Sequence, residues 1–324
     1  MARASSYTSA NAQPWKLYRD AELLAAIRER GRILPRHVQL APTNRCNLKC
    51  PWCSCAERNV GAELSQEYLD AMVPMLAGLG TKAVTITGGG EPTLHPDVGD
   101  MIGEFWERGI ATGLVTNGVL TGGGRNRRTS FVLGSLTWCR VSFSDTRRWD
   151  EAFTDALDFL RRAPLLDLAF SYVVTDKLNA ENLKRCVDYA TANRFTHVRV
   201  VSDILNPAAS AMAEARALVG NVPGVIMQDR QEHTRGARRC LISLLKPVIA
   251  PDGYVYPCCG VQYAIDGDTM DFPARMRMGR WEELPKIVRE QRYFDGSVCD
   301  RCYYSAYNEA LASLLEHVDH EAFV

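Results

Sequence analysis

Short apolar runs rich in valine and isoleucine alternate with helical stretches along the first two thirds of the chain. Six of these runs predict strands, at residues 37–41, 83–87, 111–116, 139–143, 168–174 and 197–201. Segments between most of them predict helices, at 64–79, 97–108, 150–162 and 180–193. Near-continuous apolar strands that alternate with helices are typical of a parallel sheet covered by helices. Right-handed crossovers would curl six such units into an open barrel, so the pattern predicts an α/β fold built on a partial (β/α)6, TIM-like barrel.

The flanking segments differ from this rhythm. Residues 14–31 carry apolar positions at helical spacing and end on glycine, which predicts one amphipathic helix. The segment 205–238 breaks the alternation, and from about Cys240 the chain becomes rich in cysteine, tyrosine, proline and glycine. A small second domain that ends in a helix near 304–317 is therefore expected. The expected parts are an N-terminal extension at 1–36, the barrel at 37–204, a connection at 205–239 and the small domain at 240–324.

Composition and charge narrow the class of protein. The 324 residues contain 38 lysines plus arginines and 38 aspartates plus glutamates, so no net field favours nucleic acid or an anionic membrane. The arginine pair Arg147-Arg148 is interpreted as a solvated face. No signal peptide is evident, and no stretch approaches the ~18 apolar residues of a spanning helix. We expect a cytoplasmic protein that has neither nucleic acid nor a membrane as partner. In that reducing compartment, 11 cysteines indicate metal binding or redox chemistry rather than disulfides.

Three of the cysteines lie directly after the first predicted strand. Cys46, Cys50 and Cys53 follow the spacing C-x3-C-x2-C. Three thiolates this close can wrap one 4Fe-4S cube and leave its fourth iron open to another ligand. A closed zinc site would need a fourth ligand, and Cys55, which could offer it, would form an awkward C-x-C step.

A glycine-rich turn ends the second predicted strand, in the sequence "TITGGGEPTLHP". Gly89 and Gly90 let the backbone approach a bound group closely, and Glu91 can accept hydrogen bonds from a ligand ammonium. The carboxyl ends of barrel strands hold the chemistry in such folds. The turn and the cysteine loop belong to neighbouring strands at that end, and so they are predicted to form one site.

These residues resemble the motifs of radical S-adenosylmethionine (radical SAM) enzymes over about residues 37–203. The triplet is similar to the family pattern C-x3-C-x-aromatic-C with Trp52 as the aromatic residue, and "GGEP" at 89–92 is similar to the motif that receives the methionine amine. The resemblance implies that S-adenosylmethionine binds the open iron, and that a 5'-deoxyadenosyl radical abstracts a hydrogen atom from the substrate. It also implies a reducing partner such as flavodoxin or ferredoxin.

Two further residues occupy places where the family commonly contacts this cofactor. Asn117 follows the third predicted strand and Ser142 lies in the fourth, and both could hydrogen-bond a ribose hydroxyl or a carboxylate. The Thr-Asn-Gly sequence around Asn117 is equally typical of a turn in which asparagine bonds its own backbone. Both interpretations stay open for Asn117.

A second set of cysteines lies in the C-terminal region. Cys240, Cys258, Cys299 and Cys302 supply four thiolates, enough to close either a 4Fe-4S cube or a zinc site. Their spacing resembles the auxiliary-cluster region of the SPASM and twitch subfamilies. Since no cysteine follows Cys302, the shorter twitch form with one auxiliary cluster is the closer resemblance. Four protein ligands leave that cluster no open iron, which favours electron transfer over substrate binding.

Cys259 is left over beside a predicted ligand. Successive residues of a strand face opposite ways, so Cys259 is expected to point away from the cluster when Cys258 points towards it. It is then either a packed core thiol or a hydrogen donor that faces the barrel.

Two functions from different substrate classes follow. The first is dehydrogenation or epimerisation of a small polar molecule in natural-product biosynthesis, with Cys259 as the candidate hydrogen donor in an epimerisation. The alternative is crosslinking, epimerisation or oxidation of a peptide or protein substrate. Enzymes of the second kind often carry a leader-binding domain, and the segment 1–36 that precedes the barrel is short for one. A zinc-stabilised binding module is a third possibility, but it leaves the triplet and the glycine turn unexplained.

Overall fold

The structure is a computed structural model, and it describes residues 13–119, 133–265 and 272–316. Residues 1–12 of the expected N-terminal extension and 317–324 of the expected small domain lie outside the described residues.

Seven parallel strands form the main sheet in chain order. They are β1 (His37–Leu40), β2 (Ala83–Ile86), β3 (Ala111–Thr116), β4 (Trp138–Ser144), β5 (Asp167–Val174), β6 (His197–Ser202) and β7 (Val225–Gln228). All neighbouring pairs from β1 to β7 are parallel, and β7 is an edge strand, so the sheet is curved but not closed. The six predicted strands are confirmed, and with them the partial TIM-like barrel.

Helices cover the outer face of this sheet. The four predicted helices are confirmed as Gln66–Gly78, Val98–Glu107, Glu151–Leu160 and Ala180–Ala192. Alternate strand residues such as Val141 and Phe143 of β4 are buried against this helical layer. The residues between them, including Arg140 and Ser142, therefore face the interior of the barrel.

The segment 205–238 continues the alternation, contrary to the prediction that it interrupts the rhythm. It contains the helix Ala209–Val219 and then β7, which pairs in parallel with β6. The strand is four residues long, "VIMQ", and a turn with Gly224 at φ +85° precedes it. So short an apolar run between two polar segments gives little period-2 signal.

The N-terminal helix is shorter than predicted. It spans Ala21–Arg30, because Asp20 caps it by accepting a hydrogen bond from the Leu23 backbone nitrogen at 3.0 Å. A 3-10 turn, Leu17–Arg19, precedes it, and Gly31 ends it in the left-handed conformation, as the terminal glycine predicted. Its apolar residues pack in one cluster with the C-terminal helix Ser305–Leu315.

The C-terminal region extends the same sheet. β8 (Val248–Ile249) is parallel to β1, β9 (Tyr254–Tyr256) is antiparallel to β8, and β10 (Gly279–Arg280) is antiparallel to β9. The predicted tight turn between two strands is confirmed at 250–253, where the Gly253 nitrogen donates to the Ala250 carbonyl at 3.0 Å. Two short helices, Ile242–Leu245 and Leu284–Arg289, complete this region. No helix within the described ranges is long and apolar enough to cross a membrane.

Candidate functional site

The loop after β1 holds the first three cysteines in a folded arrangement. Its two ends are tied together, since the Asn44 nitrogen donates to the Ala62 carbonyl at 3.0 Å. The Arg58 guanidinium lies across the loop and donates to the carbonyls of Asn44 at 2.8 Å and Cys55 at 2.6 Å. The backbone of the cysteine loop is therefore fixed at the carboxyl end of β1.

The thiols of this loop influence one another. Burial raises the pKa of Cys50 to about 11, and the neighbouring Cys53 and Cys46 add to the rise. A hydrogen bond from Cys55 lowers the pKa of Cys53 to about 6, with a further contribution from Arg58. Bound iron would offset the repulsion between the three thiolates, because its positive charge stabilises the deprotonated thiols. Cys55 itself is buried and acts as a hydrogen-bonding neighbour of Cys53.

The glycine turn after β2 is bonded directly to the cysteine loop. The Gly90 nitrogen donates to the Thr43 carbonyl at 3.2 Å, and the Glu91 nitrogen donates to the Arg45 carbonyl at 2.7 Å. A Cβ atom at Gly90 would lie 2.1 Å from the Arg45 carbonyl oxygen. Glycine is therefore required at this position by the close approach of the two backbones. Gly89 is buried in the same turn.

Glu91 links the glycine turn to the end of β3. Its Oε1 accepts hydrogen bonds from the Thr93 nitrogen and hydroxyl and from the Thr116 hydroxyl, and its Oε2 accepts from the Asn117 nitrogen at 2.6 Å. The side chain is 2% exposed, and burial raises its pKa. Glu91 therefore joins the ends of β2 and β3, and its Oε2, which accepts one hydrogen bond, keeps acceptor capacity for a bound group.

The Asn117 side chain makes two contacts within the protein. Its Oδ1 accepts from the Val119 nitrogen at 2.8 Å, which is the asparagine turn expected before Gly118. Its Nδ2 donates to Asn47 Oδ1 at 2.8 Å. Asn117 thus connects the end of β3 to the cysteine loop.

Arg147 is a functional candidate that the sequence analysis missed. It was interpreted as part of a solvated face, but its Nη1 donates to the carbonyl of Ser142 at 2.8 Å and to that of Asn117. Burial lowers its pKa, and its charge lies close enough to Cys50 to affect that thiol. A basic pair carries no sequence signal that separates this residue from Arg148, which is exposed.

Trp52 and Ser142 complete the predicted cofactor set. Trp52 is half-buried, and its indole Nε1 is covered without a hydrogen-bond partner among the residues described. Ser142 is half-buried on the inner face of β4. Three neighbouring thiols, a glycine turn with no room for a side chain and an unsatisfied indole nitrogen are consistent with a site that receives a further group.

The second set of cysteines lines a single cavity. Cys240, Cys258, Cys299 and Cys302 all face it, together with apolar neighbours such as Phe294. The backbone of the cavity wall is tightly packed, because a Cβ atom at Gly236 would lie 2.0 Å from the carbonyl oxygen of Gly296. The fold therefore brings together four thiols that come from three separate segments of the sequence.

The four thiols of this cavity have properties suited to the ligands of an iron-sulfur cluster. Burial raises the pKa of Cys240 to about 12 and that of Cys299 to about 11, and the neighbouring thiols contribute to both. Backbone nitrogens donate to two sulfurs, from Gly260 to Cys258 at 3.3 Å and from Tyr304 to Cys302 at 3.5 Å. Such bonds to sulfur are among those that tune iron-sulfur clusters.

No three His, Cys, Asp or Glu side chains of residues 13–119, 133–265 and 272–316 form a group suited to a single metal ion. The ligands of a four-iron cube bind different irons, and so they lie farther apart than the ligands of one ion.

Cys259 does not line this cavity, although its neighbour Tyr304 does. β9 ends at Tyr256, and Cys258 caps a 3-10 turn that begins at Cys259, so strand alternation does not apply. Cys259 Sγ lies 3.0 Å from the Tyr304 hydroxyl. Cys259 also lies close enough to the barrel residues Arg140 and Arg199 to influence their pKa values.

Comparison with known proteins identifies the class. The family model of the radical SAM superfamily matches residues 40–127, which include the triplet and the glycine turn. The PqqA peptide cyclase of Rhodopseudomonas palustris is 35% identical over 113 residues, which is 34% of this chain and 29% of that protein. The GTP 3',8-cyclase of Chlorobaculum tepidum is 27% identical over 174 residues, 49% of this chain and 51% of that protein. The chain thus matches between about a third and a half of these relatives' lengths.

The fold is also shared with a solved structure. SuiB of Streptococcus suis bound to S-adenosylmethionine superposes with a TM-score of 0.59 at 16% identity, over 85% of this chain and 71% of that one. SuiB bound to its precursor peptide SuiA superposes with a TM-score of 0.58 at 16% identity, over 80% of this chain and 67% of that one. The predicted resemblance is confirmed for residues 40–127, which match the radical SAM family model. This family uses a 4Fe-4S cluster and S-adenosylmethionine.

Proposed function

We propose that this protein is a radical SAM enzyme that modifies a peptide, with Cys46, Cys50 and Cys53 as ligands of the radical-generating cluster. The observation that carries the site assignment is the backbone pairing of the cysteine loop with the glycine turn, through Gly90 and Glu91. When bound, the cluster and S-adenosylmethionine supply a carbon-centred radical that removes a hydrogen atom from the substrate. Arg58 and Arg147 hold the surrounding loops, and an external flavodoxin or ferredoxin supplies electrons.

The peptide substrate is favoured by the relatives. A PqqA peptide cyclase shares 35% identity over the matched region, and SuiB, which has the same fold, was solved with a precursor peptide. This supports the alternative of the two predicted functions over the small-molecule one. A small-molecule substrate is the second candidate, because the relative named GTP 3',8-cyclase aligns over 174 residues.

The small C-terminal region is proposed to hold one auxiliary 4Fe-4S cluster on Cys240, Cys258, Cys299 and Cys302. The cavity lined by all four thiols supports this ligand set. We further propose Cys259 as a hydrogen-atom donor, since its thiol lies beside the Tyr304 hydroxyl and close enough to the barrel residues Arg140 and Arg199 to influence their pKa values. In that role the S–H bond breaks and a C–H bond forms at the substrate radical. One electron from the external reductant and one proton from solvent then restore the thiol.

The test begins with anaerobically reconstituted protein. It should carry about eight iron atoms per chain, two cubes of four, and after reduction it should convert S-adenosylmethionine to 5'-deoxyadenosine. Replacing Cys46, Cys50 and Cys53 together by alanine should abolish this conversion and leave the absorbance of the auxiliary cluster. Stoichiometric zinc without iron, or conversion that survives the triple replacement, would contradict the proposal. Deuterium transfer into 5'-deoxyadenosine from a labelled peptide, compared with a labelled small molecule, decides between the substrate classes.

A further inference from the structure

Two arginines project into the barrel from its central strands. Arg140 lies on β4 between Cys139 and Val141, and Arg199 lies on β6 between Val198 and Val200. All four neighbours are buried in the layer between the sheet and the outer helices. Because successive strand residues face opposite sides, the two guanidinium groups face the interior.

Arg199 lies at the level of the predicted cofactor residue Ser142. Ser142, Ser171 and Arg199 are register partners across β4, β5 and β6, and Arg199 donates from Nη2 to the Ser171 hydroxyl at 2.9 Å. Arg140 lies one inward-facing position closer to the amino end of β4. Each arginine is the third residue of its strand, so both lie in the barrel interior below the carboxyl ends, and Arg199 is level with Ser142.

Both arginines retain unused hydrogen-bonding capacity. The Nε atoms of Arg140 and Arg199 are covered and have no hydrogen-bond partner among the residues that the structure describes. Within the same residues neither guanidinium forms an ion pair with an aspartate or glutamate. Arg140 instead lies over the Trp138 ring, 5.3 Å from its centroid. A buried charge without a counterion is unfavourable, and an arriving anion would remove that cost.

Two more cations increase the positive potential here. Burial lowers the pKa of Arg140 to about 10, and the charge of Arg230 contributes. The pKa of Arg199 is lowered by burial and by Arg140 and Arg230. Lys246 is a further cation near the two arginines. Burial is the main cause that lowers its pKa, and Arg140 and Arg199 also lower it. The titratable groups of opposite sign nearest these cations are the thiol of Cys259 and the phenols of Tyr263 and Tyr304, and none of them is a carboxylate.

We propose that Arg140 and Arg199 bind a carboxylate of the substrate inside the barrel, next to Cys259. Guanidinium groups bind carboxylates through paired, charge-assisted hydrogen bonds. The inference rests on the proposed function, and it narrows the peptide substrate to one that presents a carboxylate at the reacting segment. That carboxylate belongs either to an acidic side chain or to the peptide's carboxyl terminus.

The test uses short synthetic peptides and reconstituted protein under anaerobic conditions. Two peptides with blocked ends differ only in one glutamate or glutamine, and a third has neutral side chains and a free carboxyl terminus. Titration calorimetry at low salt should show at least about tenfold tighter binding of one carboxylate peptide than of the glutamine peptide. The carboxylate peptide that binds identifies the source. Arg140→Gln and Arg199→Gln should each remove this preference, and Arg199→Lys should keep part of it.

Arg161→Gln is the matched control, because Arg161 lies outside the barrel and pairs with Asp158 at 3.0 Å. It should retain the full preference. Equal binding of all three peptides by the unmodified protein, or a preference that survives both glutamine replacements, would overturn the inference. Inorganic phosphate that displaces the carboxylate peptide at equal concentration would overturn the carboxylate assignment.

Formation of 5'-deoxyadenosine without peptide separates this inference from the proposed function. Protein that cleaves S-adenosylmethionine but shows no carboxylate preference refutes only the substrate inference. Protein that prefers the carboxylate peptide but never cleaves refutes only the radical function. Near-ultraviolet circular dichroism verifies that each arginine variant is folded. If a glutamine variant does not fold, the comparison of Arg199→Lys with the unmodified protein decides the test.

Discussion

The Glu91 backbone nitrogen lies 2.7 Å from the carbonyl oxygen of Arg45, so the glycine turn and the cysteine loop share a hydrogen bond at the carboxyl ends of two neighbouring strands. The contact requires Gly90 to have no side chain, because a Cβ atom would lie 2.1 Å from that same oxygen. Two motifs that are separate in sequence are therefore one structural unit.

Gly90→Ala should disrupt this unit. The clash is with backbone atoms that cannot rotate away, so we expect a loss of about 1–3 kcal/mol of stability. Displacement of the cysteine loop should also abolish 5'-deoxyadenosine formation, while the auxiliary cluster's absorbance persists. Gly103→Ala is the control, since Gly103 lies in a helix and a Cβ atom there would have no described neighbour within 4 Å. It should leave activity unchanged and increase stability by up to about 1 kcal/mol. An active Gly90→Ala protein would show that the close approach is not required.

Arg147→Gln should reduce cleavage of S-adenosylmethionine by about tenfold or more. The residue joins the ends of β3 and β4 through the Asn117 and Ser142 carbonyls, and charged hydrogen bonds of this kind contribute about 1.5–3 kcal/mol. The rate of 5'-deoxyadenosine formation measures the effect. Arg148→Gln changes the adjacent, exposed arginine and should have no effect. Equal rates of 5'-deoxyadenosine formation in the two variants would show that Arg147, like Arg148, has no role in the site.

The limits of sequence reasoning are visible in these residues. Six strands were predictable because each is a short, mainly apolar run, and the triplet was predictable because its cysteines lie close together in the chain. The role of Glu91 was not, because its partners Thr116 and Asn117 belong to the next strand. Arg140 and Arg199 were hidden for a different reason. The sequence around a single arginine in an apolar strand does not indicate which side chains of other strands surround it. It therefore cannot indicate that a counterion is missing.

Cys302→Ala should remove the auxiliary cluster alone. The thiol lines the cavity with the three other predicted ligands, so its loss should lower the iron content from about eight to about four atoms per chain. Iron analysis together with the electron paramagnetic resonance of reduced protein checks this. Cys186→Ala provides the contrast, because Cys186 is fully buried in the barrel core. That variant should keep all its iron, and iron loss from it instead would mean that the ligands are wrongly assigned.

Cys259→Ala should keep both clusters and still produce 5'-deoxyadenosine, since Cys259 does not line the auxiliary cavity and its thiol lies 3.0 Å from the Tyr304 hydroxyl. If Cys259 donates a hydrogen atom, the modified peptide should be lost or diverted to a different product, which mass spectrometry of the peptide detects. In deuterated water the unmodified protein should add one deuterium to the product, because a thiol exchanges its proton with solvent. Tyr304→Phe removes only the hydroxyl beside the sulfur, and it should preserve deuterium incorporation at a changed rate. Unaltered product from Cys259→Ala, with the same deuterium content, would identify Cys259 as a packing residue.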